Sequence, residues 1–333
     1  MDLFKLITEI EQVDPEIYDR LDSRRRVFKH FGLAGKAVTA AVLPGLVSGI
    51  FQRAYGQGTT LSADIQAVLN LALSLEYLEF YFYDTAIKAN NLIPAADLPA
   101  FTTIRNDESG HIKVLRGVPG FSPIADPTRN AFDYSGGKSP VPLPTSVGTG
   151  PFRNVFTDYA LFLGVSQSFV DTGVRAYKGG APVLMTATNK DILEAALNIH
   201  SVEARHSSHV RTIRRGLASG QSGQGAITVP GDLSNLNLKP KSWISGTDNG
   251  GPSPNTMPST ALVYGPGNPA TGAPTAIFFP GENNTNQAGV DILTNTAGIT
   301  PAAASEAFDE PLDPGTVKTI ARNFVAQSTV LFT

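Results

Sequence analysis

Two short patterns carry most of the chemistry in this 333-residue sequence: Glu108-x-x-His111 and Glu203-x-x-His206. A three-residue step along an α-helix brings the chain almost once around, so the carboxylate and the imidazole of each pair leave the same face one turn apart. Carboxylate oxygen combined with neutral imidazole nitrogen is a donor set for divalent first-row metals. The sequence contains no cysteine, which removes thiolate zinc sites, iron–sulfur clusters and cysteine nucleophiles, and favours iron or manganese over copper(I) or structural zinc. Two further acids, Glu76 and Glu79, stand in a stretch that is apolar almost all round: Ile65, Leu69, Leu73 and Tyr83 follow one stripe, and Val68, Leu71, Leu75, Leu78 and Phe82 another. A carboxylate taken out of water without a partner costs several kcal/mol or takes up a proton, so acids in such places call for a cation or a proton-sharing partner.

The spacings suggest a repeated device. Glu76 precedes Glu108 by 32 residues, Asp171 precedes Glu203 by the same 32, and the two sets are offset by 95. Folding each set as a helical hairpin would place a carboxylate opposite its Glu-x-x-His pair. The candidate metal ligands are therefore Glu76, Glu108, His111, Asp171, Glu203 and His206, with Glu79, Gln167 and His200 as weaker candidates. His200 and His209 prolong the stripe of Glu203 and His206, but sixty degrees of drift at each step moves them to its edge. Tyr77, Tyr81 and Tyr83 read either as redox-active neighbours of a metal or as core packing, and Arg205 with Arg211 to Arg215 as a solvated helix end.

The elements that must position these groups are helices. Periodicity predicts the first over Leu61 to Asn90, with Ser62 as its N-cap, and the second over Leu98 to Leu115, stopped by Gly117 and Pro119. A connection rich in Pro, Ser and Gly, Gly117 to Gly150, leads to a third helix over Phe152 to Lys178, closed by Gly179-Gly180. A fourth starts at Thr188, which forms a capping-box pattern with Asp191, and ends at Gly216. Two hairpins joined by one long connection predict an all-α core, a ferritin-like four-helix bundle with one long crossover. Residues 217–305, dominated by Gly, Pro, Ser, Thr and Asn, read as an irregular extension with short strands in apolar runs such as Thr275 to Phe279. Residues 306–333 contain a last helix, Thr316 to Gln327, introduced by Asp313-Pro314-Gly315, whose Val317, Ile320 and Phe324 are placed to dock on the bundle.

Composition narrows the function classes. Apolar residues are 41% and charged residues 17%, which suits a globular chain. With 26 Lys and Arg against 29 Asp and Glu, the net charge of −3 offers no basic field for a nucleic-acid backbone, and no nucleic-acid partner is expected.

The helical motifs read Leu75-Glu76-Tyr77-Leu78-Glu79-Phe80-Tyr81, Asp107-Glu108-Ser109-Gly110-His111, Phe169-Val170-Asp171-Thr172-Gly173-Val174-Arg175-Ala176-Tyr177 and Val202-Glu203-Ala204-Arg205-His206, and the tail carries Ala307-Phe308-Asp309-Glu310-Pro311-Leu312. Together these resemble the bacterial ferritin-like domain proteins related to plant desiccation-related proteins, over residues 60–216 and 305–327. The resemblance implies a ferritin-like bundle, often exported, within a superfamily that includes ferroxidases, manganese catalases and oxygen-activating di-iron enzymes. The third helix departs from that family's usual Phe-Glu-Asp. Val170 takes the middle place, leaving Asp171 as the nearest acid and Gln167 one turn earlier.

The N-terminal arm, residues 1–58, begins with an amphipathic segment carrying Leu3, Leu6, Ile7 and Ile10. It continues through Ser23-Arg24-Arg25-Arg26-Val27-Phe28-Lys29, the apolar run Gly32 to Phe51, and Ala54-Tyr55-Gly56. This resembles a twin-arginine export signal and implies a periplasmic or exported protein; the alternative is a cytoplasmic protein that keeps the arm. Two functional readings follow. One is a carboxylate centre of two iron or manganese ions acting on oxygen or peroxide. The other is a non-catalytic, stress-protective envelope protein with a degenerate metal site, whose functional surface is 217–305. Homo-oligomerisation and contact with the cell envelope stand as the expected macromolecular partners.

Overall fold

A computed structural model describes residues 61–138, 149–186, 188–218, 262–272, 276–326 and 331–333, with the last four residues of the 188–218 stretch described as backbone alone. All belong to one compact unit, Phe51–Thr333; the export-signal motif and the apolar run after it lie outside the described residues, as do 219–261. Four long helices dominate. Helix α1 (Ala63–Lys88) is capped by Ser62, whose hydroxyl accepts from the Ile65 amide at 3.4 Å. Helix α2 (Leu98–Arg116) runs beside it, burying Phe101, Ile104, Glu108, His111 and Leu115 on one stripe. Helices α3 (Tyr159–Leu184) and α4 (Lys190–Ala218) form the second packed pair, and α1 also lies against α3 and α2 against α4. Among the described residues no helix is long and apolar enough to cross a membrane.

Helix α3 differs from its prediction at both ends. It starts at Tyr159 because the Asp158 side chain caps the Leu161 amide at 3.1 Å, while Phe152, Val155 and Phe156 enter the core from turns just before it. At the far end Gly179 and Gly180 do not close the helix but lie inside it. Their lack of a Cβ serves packing: at Gly179 a Cβ would fall 2.0 Å from the Leu312 carbonyl oxygen, and at Gly180 it would fall 3.0 Å from a Val68 methyl. A glycine pair read as a stop is here a contact surface for the C-terminal segment.

Residues 120–134 of the connection between α2 and α3 are tied down along α1. Gln66 bonds the backbone at Gly120 and Ser122, Asn70 bonds Ser122 and Ile124, Tyr81 donates to Asp126 at 2.8 Å, and Tyr134 donates to the Leu78 carbonyl at 2.6 Å. Phe132 then bridges Val325 near the C-terminus. In the described part of the extension the strands are two residues long, β1 (Asn286–Gln287) against β2 (Val290–Asp291), and the apolar run at Phe279 is not a strand. Two short helices follow, α5 (Ile292–Asn295) and α6 (Pro301–Ser305). The last helix, α7 (Pro314–Ala321), is capped by Asp313 and passes into a single 3₁₀ turn at Arg322–Phe324, shorter than expected; Val317, Ile320 and Phe324 are buried against the helices.

One buried side chain holds the extension to α3. The Arg175 guanidinium, fully enclosed, pairs with Glu282 at 2.8 Å and donates to the carbonyls of Val263, Gly265, Pro280, Glu310 and Pro311. Five backbone carbonyls and a carboxylate around one guanidinium satisfy its fork of donors completely, and they hold Val263, Gly265, Pro280, Glu282, Glu310 and Pro311 against α3.

Candidate metal centre

Three of the four long helices bring six of the candidate residues into one buried cluster. From α1 come Glu76 and Glu79, from α2 Glu108 and His111, and from α4 Glu203 and His206; none is more than 8% exposed. His111 Nδ1 lies 3.0 Å from Glu76, 3.0 Å from Glu108 and 3.4 Å from Glu203. One ligand atom from each of Glu76, Glu108, His111 and Glu203 falls within 4.8 Å of the others, which is the compactness a metal ion requires. His206 joins this group from the other side, with Nδ1 3.1 Å from Glu108 and 3.8 Å from Glu203, and its ring centre is 6.3 Å from that of His111. The three-residue spacing in α2 and α4 is what sends each acid and its imidazole inward together.

Asp171 is elsewhere. Its carboxylate accepts from Ser207 at 2.6 Å, Arg211 at 2.5 Å and Tyr264 at 2.7 Å, one hundred degrees around α3 from the stripe that faces the cluster. Arg211, expected on a solvated helix end, is 1% exposed and serves as that partner. Gln167 belongs to the same network, bonding Tyr264 at 3.1 Å and accepting from Arg214. His200 contacts the Val174 carbonyl at 3.0 Å and stays at the edge. Of the three tyrosines on α1, Tyr81 bonds Asp126, Tyr83 bonds Ser166, and Tyr77 receives a bond from Arg116.

Two residues without a role in the sequence reading touch the cluster. Tyr177, on α3, donates its hydroxyl to Glu76 Oε1. Asp107 stands 3.1 Å from His206 Nε2, so whenever the imidazole is neutral it favours the tautomer with the proton on Nε2 and leaves Nδ1 facing Glu108 and Glu203. Both were visible as letters in the motifs, and their signal was helical phase: Tyr177 lies on the α3 stripe through Val170 and Gly173, and Asp107 is adjacent to a ligand candidate.

The electrostatics show what the arrangement lacks. Among the described residues the four carboxylates have no Lys or Arg ion pair, and oxygens of three have no hydrogen-bond partner: Glu79 Oε2, Glu108 Oε1 and both oxygens of Glu203. In the metal-free protein, protons stand in. Burial pushes the Glu76 carboxyl up to about 8, and burial with the charges of Glu203 and Glu108 pushes Glu79 well above the carboxylate range. For the imidazoles burial acts downward, but the surrounding carboxylates outweigh it, raising His111 well above its ordinary value and His206 to about 12. Glu108, against the upward pull of burial, is brought to about 2 by the hydrogen bond from His111 and the nearby His206 imidazole. Divalent ions would do the same work: four carboxylate charges match two such ions, the orphaned oxygens become ligand atoms, and the imidazoles turn neutral. The residues fit a metal centre.

No curated protein and no solved structure matches the chain. Residues 64–215, the span that holds every residue of the cluster, match the family model described as a ferritin-like domain, and over that span the chain is similar to such domains.

Proposed function

We propose that residues 61–218 form one ferritin-like four-helix bundle with a long crossover, and that its centre holds two iron or manganese ions that react with oxygen or peroxide. The observation that carries this reading is the set of buried carboxylate oxygens on Glu79, Glu108 and Glu203 with nothing to bond, beside two imidazoles. Glu76, Glu108, His111, Glu203 and His206 would hold the ions, which supply one-electron redox cycling. The chain's own contributions are distinct. Burial excludes bulk water, Asp107 keeps a proton on His206 Nε2, and Tyr177 holds a proton at Glu76 Oε1. On the far side of Tyr177 an apolar cavity lies between α1, α2, α3, α4 and α7, walled by residues such as Leu75, Val114, Ala176, Ile192 and Val317. A cavity of this lining suits dioxygen better than peroxide, which needs hydrogen bonds.

Metal analysis of protein reconstituted with iron(II) or manganese(II) tests the reading: about two ions per chain are expected of a bimetallic carboxylate site. Fewer than half an ion per chain ends it. One observation favours the second reading, a stress-protective envelope protein with a degenerate centre. Helix α3 sends no acid into the cluster, its Asp171 being spent on Arg211. Under that reading Glu108→Ala leaves the protective phenotype of the cell intact, while removal of residues 217–305 abolishes it.

A further inference from the structure

Helix α3 faces the cluster with Val170, Gly173 and Tyr177, three positions on one stripe, and none of them is an acid. The donor that a symmetric pair of hairpins would take from α3 is therefore missing, and a gap stands in its place. A Cβ built on Gly173 would lie 3.2 Å from Glu203 Oε2 and 3.4 Å from Glu79 Oε1, so two carboxylates from α4 and α1 pass directly over the glycine. Glu79 is 4% exposed, and its Oε2 has no hydrogen-bond partner. Its own helix offers nothing to bond there, and burying a carboxylate without a ligand is among the costliest arrangements in a protein.

We infer that Glu79 is the sixth protein donor of the centre, reaching from α1 across the gap at Gly173 into the place an α3 acid would fill. The six donors then come from three helices: Glu76 and Glu79 from α1, Glu108 and His111 from α2, and Glu203 and His206 from α4. Glu76 and His111 would hold one ion and Glu79, Glu203 and His206 the other, with Glu108, whose two oxygens reach His111 and His206 separately, available to both. Gly173 is small because a side chain there would displace the ligand that replaces it.

This rests on the bimetallic reading above, and the test separates the two. Wild-type protein, Glu79→Gln, Gly173→Ala and Glu79→Gln/Val170→Glu are each loaded with manganese(II), freed of excess metal, and measured for metal per chain and for the manganese EPR signal. Helical content by circular dichroism confirms that each variant folds. The expectation is two ions with a coupled-pair signal in wild type, and one ion with an isolated-ion signal in Glu79→Gln. Gly173→Ala should bind the second ion about tenfold more weakly, since its methyl presses on both carboxylates. Restoring an acid to α3 in the double variant should bring the second ion back. Two ions in both wild type and Glu79→Gln would overturn the role of Glu79 and leave the bimetallic reading standing. Less than half an ion in wild type would overturn that reading and this inference with it.

Discussion

Helix α3 separates two collections of buried charge that are balanced in opposite ways. On one side Asp171 faces Arg211, Ser207 and Tyr264, and Arg175 faces Glu282 and five carbonyls, so charge meets fixed opposite charge or a fixed dipole. On the other, Glu76, Glu79, Glu108 and Glu203 meet only two imidazoles, a tyrosine hydroxyl and each other. The first collection has its counter-charges built into the fold, although Glu282 Oε2 lacks a hydrogen bond, and it joins α3 to α4 and to the described part of the extension. The second is complete only when protons or metal ions arrive from solution. Both are buried and both carry acids, so burial alone does not mark a functional site; the absence of a built-in cation does.

The largest effect expected from this contrast is at Arg175. Arg175→Met leaves Glu282 and several carbonyls buried without their donor, and a loss of about 3–5 kcal/mol is expected by denaturant titration. Metal per folded chain should not change. Next is a matched pair of near-isosteric changes. Asp171→Asn removes the charge that faces Arg211 and should cost about 3 kcal/mol. Glu203→Gln in metal-free protein should cost clearly less than that, because neither Glu203 oxygen has a hydrogen bond to lose, while metal binding is lost. If both substitutions destabilise the metal-free protein equally, the two sides of α3 are not different in kind.

The distinction also predicts a pH dependence. Glu76 has its folded value raised to about 8 from about 4.5, so the folded chain binds more protons than the unfolded chain between those values. Stability contributed by this group is therefore full below about pH 4.5 and declines as pH rises to 8. His206, raised to about 12, acts in the same direction above its ordinary value of 6.5. Glu108, lowered to about 2, costs stability only as pH falls from 4.5 toward 2. Melting of metal-free protein should thus occur at progressively lower temperature from pH 5 to pH 8, and metal should raise the melting temperature more at pH 8 than at pH 5, since it competes with fewer protons. The smallest effect belongs to Asp107→Asn. Asp107 is part-exposed, and loss of its hold on His206 Nε2 should weaken metal binding by about tenfold, without changing fold stability, in a competition assay with a chelator.

What could be read without coordinates follows from distance along the chain. The two Glu-x-x-His pairs are local, and helical phase alone sends each pair to one face. The apolar surroundings of Glu76 and Glu79 were equally local. Asp171 was misjudged because its partners, Arg211 and Tyr264, lie 40 and 93 residues away, and nothing near Asp171 in sequence announces them. Glu79 ranked low because the reason it reaches the cluster is an absence, the missing side chain at Gly173. The same applies to Gly179 and Gly180: adjacent glycines signal a helix end by conformational freedom, but here they answer a segment that returns from residue 312 to press against the helix. Long-range contact decided every one of these cases.

The central claim is that the buried acids of the cluster are made for cations, with protons as their substitutes. Calorimetric titration of manganese(II) into metal-free protein, repeated in buffers of different ionisation heat at pH 7, measures metal bound and protons released together. The account predicts saturable binding with at least about one proton expelled per ion, drawn from Glu76, Glu79, His111 and His206. Saturable binding without proton release, or no binding, would contradict it.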